Sequence, residues 1–358
     1  MVPAGAGPGA GGAPARVPAG RSGDARARPP GAAPLLEVRD LQVRFRSDDR
    51  QVWAVNGLSY TISPGETLAV IGESGSGKTV SSRAMMGLLP ETATVAGSVR
   101  FEGVELLGLA ERQIRRHRGN DLAMVFQDPA RSLNPTMRIG SQVTEAVRSH
   151  LRLDRRRARA RALELLALVR LPSPEQRFFE YPHQLSGGMR QRVMIAIALA
   201  GTPKVLIADE ATTALDVTTQ AQIMELLAEV QAQLGMAVIM ISHDLGLAAT
   251  FADQVLVMYA GRAVEQAPTA ELFAHVRMPY TRALLDAIPR VERPSHFLLP
   301  VVEGQPPDLT AMPVGCPFAP RCPRAQARCL EECPPLEHHE RHHLWACWNP
   351  CDDGGSRR

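Results

Sequence analysis

The chain has 358 residues, 45% of them apolar, with 40 Lys and Arg against 37 Asp and Glu for a net charge of +3. That length buries a full α/β core and leaves room for an appendage, while no apolar run approaches the ~18 to 20 residues of a membrane-spanning helix. So small a net charge points to neither nucleic acid nor an anionic membrane surface as a partner.

Residues 1–34 are mostly Gly, Ala, Pro and Arg and carry almost nothing that forms a core, so they read as a disordered tail. They lack the apolar stretch of a signal peptide. An Arg-rich, acid-poor leader also fits an organellar transit peptide, although its Pro and Gly density opposes the amphipathic helix such leaders form. From Leu35 the pattern alternates: Leu36, Val38, Leu41, Val43 and Phe45 predict one strand, Val52 to Ile62 a second, with a polar turn over Ser47 to Arg50. This is an antiparallel entry sheet. Thr67 to Ile71 is a short buried strand, followed by a Gly-rich loop and a helix from Lys78 to Leu89. Residues 138–170 carry apolar positions at helical spacing (Val143, Ala146, Val147, then Leu163, Leu165, Leu166, Leu168, Val169) and predict a helical insertion. Beyond it come a helix from Met189, a strand Val205 to Ala208, a helix near Gln220 to Leu234, and strands at Ala237 to Ile241 and Gln254 to Met258. Strands alternating with helices imply a largely parallel sheet.

All six cysteines lie between Cys316 and Cys351, a segregation that marks a separate C-terminal module. Without an export signal the expected setting is cytosolic, where clustered thiols bind metal more often than they form disulfides. Six arginines between Arg152 and Arg161 fit a solvated helix face; a sharper reading is contact with lipid headgroups or a partner.

Gly72-Glu73-Ser74-Gly75-Ser76-Gly77-Lys78-Thr79 fits the phosphate-loop pattern, and it sits between a buried strand and a helix as that motif requires. Glycines let backbone N–H groups turn inward around phosphate oxygens, and the helix N-terminus adds favourable charge. Lys78 is placed to reach the β- and γ-phosphates and the Thr79 hydroxyl to ligate Mg²⁺. Lys78 and Lys204 are the only lysines in a chain that otherwise uses Arg, and a guanidinium does not replace a compact ammonium in such a nest. The apolar strand ending in Asp209-Glu210 puts Asp209 where a Mg²⁺ ligand belongs and Glu210 where a residue orients or deprotonates water; alone, two adjacent acids would be ordinary helix caps. Leu185-Ser186-Gly187-Gly188 opens another helix with a cap residue and two glycines, a second anion site. One nucleotide does not need two such sites in one chain. The duplication makes sense if the second faces the γ-phosphate held by another subunit.

With Ser242-His243 after the next strand, this set resembles the ABC ATPases, over Phe45 to His243 and in the family's order. The resemblance implies an ATP- and Mg²⁺-dependent P-loop α/β fold with a parallel core sheet, an antiparallel β subdomain, a helical subdomain at about 128–189 and a Cys-rich C-terminal extension. It also implies that Phe45, or Trp53 in its place, stacks on adenine; that Gln127 touches Mg²⁺ and the water; that Asp216 crosses a dimer interface; and that His243 contacts the γ-phosphate. A closer resemblance is to oligopeptide/dipeptide-importer ATPases, through Phe126-Gln127-Asp128-Pro129, Ser132-Leu133-Asn134-Pro135, Tyr181-Pro182-His183-Gln184 and the Cys-rich tail, over roughly Leu35 to Trp348. Ala211 stands where that family usually has Pro, and Met278 where it has His. The likeness implies an ATPase domain over 35–290 and an extension over 291–358 whose Cys316, Cys322, Cys329 and Cys347 hold a [4Fe-4S] cluster. Zinc is the alternative, given His338, His339, His342 and His343 nearby, and no metal a third. Implied partners are a second ATPase subunit, self or paralogue, two transmembrane permease subunits and, indirectly, an extracytoplasmic substrate-binding protein, with the chain on the cytoplasmic face of the inner membrane. The competing readings are a soluble ABC ATPase acting on nucleic acid or ribosomes and a partner that binds ATP without hydrolysing it.

Overall fold

The computed structural model describes residues 33–47, 50–212, 215–288, 302–339 and 342–352. The tail expectation therefore falls, for residues 1–32, outside the described residues, as does the expected boundary at 290–291.

Two sheets organise the chain. The first is antiparallel, in the order β2 (Arg50–Ile62), β1 (Leu36–Ser47), β4 (Ala93–Phe101), β5 (Val104–Glu105). Its register runs from Leu36 opposite Ile62 to Ser47 opposite Arg50, as the alternation requires. Leu36, Val38, Leu41 and Val43 are buried; a strand with one covered face has its register fixed by which side chains go inside.

The second sheet has eight strands, and five of them make the expected parallel core. These run β9 (Gln254–Tyr259), β3 (Thr67–Ile71), β8 (Ala237–Ser242), β7 (Val205–Asp209), β6 (Leu122–Val125). Every residue of β3, β6, β7 and β8 is buried, as in a sheet covered on both faces. The faces separate cleanly. Ala69, Ile71, Leu206 and Ala208 join a core with the helices, while Leu68, Val70, Val205 and Ile207 pack toward the antiparallel sheet. Beyond β9 the sheet turns antiparallel through β10 (Arg262–Pro268), β12 (Leu344–Trp345) and β11 (Glu337–His338), so the Cys-rich extension contributes its edge.

The insertion folds as expected into α4 (Ile139–His150) and α5 (Arg155–Leu168), which cover α7 (Gly187–Ala198). Ile139, Val143, Val147, Ala158, Ala162, Leu165 and Leu166 make their shared buried stripe. Four arginines of α5 are exposed and Arg161 is half-buried; the exposed Arg159 lays its guanidinium 5.2 Å and 5.3 Å from the ring centroids of Phe178 and Phe179. No helix among the described residues is long and apolar enough to cross a membrane.

Candidate active site

Register sets the site. Ile71 pairs with Ser242 and Asp209 with Ile241, so Gly72, Glu210 and His243 each begin the segment that leaves one end of the parallel sheet. Val125 pairs with Ala208, which brings the segment carrying Gln127 to the same row. This is the carboxyl end of the strands, where α/β sheets bind ligands.

Between β3 and α1 (Lys78–Met85), Gly72 and Gly77 press against other backbone. A Cβ on Gly72 would lie 2.3 Å from the carbonyl oxygen of Met258, and one on Gly77 2.3 Å from that of Ala54. Gly77 also holds φ 97°, which other residues adopt only with strain. Lys78 is 4% exposed, and its Nζ donates to the carbonyls of Gly72 at 2.7 Å and Glu73 at 2.9 Å. Burial lowers its pKa, against the opposing pull of Glu210, Asp209 and Glu73. A desolvated ammonium inside a glycine turn at a helix N-terminus is an anion site. Ser74 and Gly75 form the exposed tip and Ser76 is buried.

Thr79 Oγ1 donates to Asp209 Oδ1 at 2.7 Å. Asp209 is 1% exposed, and its Oδ2 has no hydrogen-bond partner among the described residues. Burial raises the carboxyl pKa in spite of the bond from Thr79. A hydroxyl beside a buried carboxylate with an unmatched oxygen is a hard-oxygen donor set that fits Mg²⁺. Next along the chain, Glu210 adopts φ 47°, a left-handed backbone that costs a non-glycine residue about 1 kcal/mol. Its N–H donates to Ile241 O at 3.0 Å, and its Oε2 accepts from Gln127 Nε2 at 2.6 Å. The structure thus joins Thr79 to Asp209, and Gln127 to Glu210, the residue that follows Asp209. His243 is exposed just past β8, while Ser242 is buried and its Oγ accepts from Asp244 N at 2.9 Å.

The second anion site has a different character. Ser186 caps α7 by accepting from Met189 N at 3.3 Å, and Ser186 and Gly187 are exposed. Asp216 caps α8 (Val217–Leu234), accepting from Thr219 N at 3.0 Å and Thr219 Oγ1 at 2.7 Å, bonds that hold its carboxyl below the usual range. A Cβ on Gly188 would meet Thr219 Cγ2 at 2.7 Å, so the two caps form one surface. Among the described residues, none of these groups is hydrogen-bonded to the glycine loop. Phe45 is half-buried near the end of β1, opposite Val52 and Ala93, and packs on the core beneath the antiparallel sheet. One face of Trp53 is covered by the Arg44 guanidinium, 3.7 Å from the ring centroid.

The nucleotide-site motifs include neither Arg321 nor Tyr280, yet both reach the glycine loop: Arg321 pairs with Glu73, and Tyr280 Oη accepts from Glu73 N at 2.9 Å.

Among the described residues nothing supports a metal centre in the extension. All six cysteines are free thiols, and no group of three or more His, Cys, Asp or Glu among the described residues is placed to hold a metal ion. Cys316, Cys322 and Cys347 pack instead against the main core, as small apolar side chains do. Burial pushes the Cys316 thiol up to about 11 and Cys347 to about 12, with neighbouring cysteines adding to the shift. Two of the four histidines are committed elsewhere: His343 Nε2 lies 2.9 Å from Glu265 Oε1, and His339 stacks on Trp345.

Against known proteins, residues 55–213 match the model of the ABC transporter family, and residues 264–329 that of the oligopeptide/dipeptide transporter C-terminal region. The oligopeptide transport ATP-binding protein OppD of Mycobacterium tuberculosis (strain ATCC 25618 / H37Rv) is 50% identical over 316 residues, which is 88% of this chain and 52% of that protein. The chain thus spans about half the length of this mycobacterial relative. A putative peptide import ATP-binding protein of Brucella abortus (strain 2308) is 51% identical over 303 residues, 84% of this chain and 91% of its own length. The dimeric post-hydrolysis structure of the ATP-binding cassette MJ0796 bound to ADP and Pi superposes with a TM-score of 0.59 at 27% identity, covering 65% of this chain and 98% of that one.

Proposed function

Because this chain belongs to the family of ABC transporter ATP-binding proteins, we propose that it binds and hydrolyses ATP as the motor subunit of an importer for oligopeptides or dipeptides. The observation that carries the hydrolytic part is the bond from Gln127 Nε2 to Glu210 Oε2 at 2.6 Å, one residue beyond the carboxylate that Thr79 touches at 2.7 Å. In this reading the glycine loop from Gly72 to Gly77 and Lys78 grip the phosphates, and Phe45 supports the base. Thr79, Asp209 and Gln127 would hold Mg²⁺. When bound, the ion neutralises charge on the phosphate oxygens. Glu210 orients the attacking water and accepts its proton; Gln127 fixes the carboxylate's direction, and His243 steadies the terminal phosphate. Catalysis here is positioning and charge stabilisation, with no covalent intermediate on the protein.

The exposed cap surface of Ser186, Gly187, Gly188 and Asp216 completes the site of a second cassette, another copy or a paralogue. Closure of that pair is passed by the helical subdomain to two permease subunits at the cytoplasmic face of the inner membrane, with a substrate-binding protein acting on the far side. The match of residues 264–329 to the transporter C-terminal region favours this reading over a soluble ATPase working on nucleic acid. The test is steady-state ATP hydrolysis by the purified chain and its Glu210→Gln variant. Turnover by the parent that the variant loses is expected, and a variant as fast as the parent removes Glu210 from this role.

A further inference from the structure

Glu73 is an anomaly in an anion site. It lies within the glycine loop, one residue after Gly72, and its charge is felt at the Lys78 ammonium. An unmasked carboxylate there would repel a triphosphate. In this chain the carboxylate is met by a guanidinium 248 residues away: Arg321 Nη1 donates to Glu73 Oε2 at 2.8 Å and Nη2 to Oε1 at 3.0 Å, a two-point fork. The Arg321 side chain is 4% exposed. Its remaining donors are satisfied by Glu303 O at 2.9 Å, Val302 O at 3.0 Å and Tyr259 Oη at 3.1 Å, so the planar group is held from several directions. Beneath it, Tyr259, Tyr280 and Phe318 pack ring against ring, with centroids 4.6 to 5.3 Å apart, and Tyr280 also takes the Glu73 N–H. Cys316 and Cys322, on either side of Arg321 in the sequence, anchor the segment in the main core.

We propose that Arg321 of the C-terminal extension is a positioning residue for nucleotide binding: it neutralises Glu73 and holds its carboxylate off the phosphate cradle. This rests on the reading that the glycine loop binds ATP. The extension thereby becomes part of the nucleotide site's electrostatics. A role confined to anchoring would need the fork for its strength alone. A masking role makes a further demand, that the harm of losing Arg321 come mainly from the carboxylate left behind.

Binding of MgATP to the full-length chain, followed by titration of a fluorescent ATP analogue, separates these. Arg321→Met is expected to weaken binding at least about tenfold, by exposing one uncompensated charge near the phosphates. Glu73→Gln alone should shift it less than about threefold, and the double variant Glu73→Gln/Arg321→Met should return to within about threefold of the parent. Arg321→Lys, which keeps charge without the fork, should fall between parent and Arg321→Met. Unchanged affinity in Arg321→Met overturns the proposal. So does a double variant as weak as Arg321→Met, because the arginine would then serve only as an anchor. If the parent chain itself binds no MgATP, the nucleotide reading fails first and takes this inference with it.

Discussion

The two anion sites of this chain are built in opposite ways. Around Lys78 the charges are buried and wired to one another: the ammonium is 4% exposed and Asp209 1%, Thr79 bonds Asp209, Gln127 bonds Glu210, and Arg321 locks Glu73. Around Ser186 the capping groups are exposed and, among the described residues, bonded to their own helix starts. The glycine loop is preorganised to hold a ligand by itself. The capped helices present Ser186, Gly187 and Asp216 at the surface, which is the form of a surface completed by a partner. Preorganisation in one half and exposure in the other means that binding and turnover should be separable by mutation.

The largest effect should come from Glu210→Gln, which removes the proton acceptor but keeps the shape. ATP turnover should fall by roughly 10²–10⁴-fold while MgATP still binds, read by phosphate release and nucleotide titration. Next is Lys78→Ala: losing the buried cation should weaken MgATP about thirtyfold or more, so that binding and turnover fail together. On the other surface, Gly188→Val should cut turnover at least about tenfold, since any Cβ there collides with Thr219, yet leave MgATP affinity within about twofold. A Gly188 variant that loses affinity as Lys78→Ala does would erase the distinction between the halves.

The smallest effect is on stability. Burial holds the Asp209 pKa above its ordinary value, so the folded chain keeps a proton that the unfolded chain has already released. Stability contributed there falls as pH rises from the ordinary carboxylate pKa through the raised one. Asp209→Asn should therefore raise the melting temperature of the nucleotide-free chain at neutral pH by a few degrees and flatten its acid-side dependence, while weakening Mg²⁺-dependent ATP binding. A lower melting temperature for Asp209→Asn at neutral pH contradicts this.

Much of the architecture was legible because its signals are local. The alternation through Leu36 to Phe45, the five buried residues of Thr67–Ile71 and the spacing from Val143 to Val169 each fix an element without reference to the rest of the chain. Leu122–Val125, the four-residue edge of the core sheet, has no period of its own, and Ala93–Phe101 carries exposed residues along much of its length, so neither strand stood out. At the site, motif spacing identified the loop and its acids. The fork from Arg321 to Glu73 could not be read, because no periodicity links positions so far apart. The tail is the opposite case: the spacing of four cysteines suggests ligands, with zinc or no metal as alternatives, and nothing among the described residues supports a metal there, since three of the four pack on the main core.

The most direct test of the split site is sedimentation of the Glu210→Gln chain with and without MgATP, repeated after adding Ser186→Arg. The account predicts a dimer that forms only with MgATP and disappears in the second protein although nucleotide is still bound. A dimer indifferent to Ser186→Arg, or a chain that stays monomeric when saturated with MgATP, would contradict it.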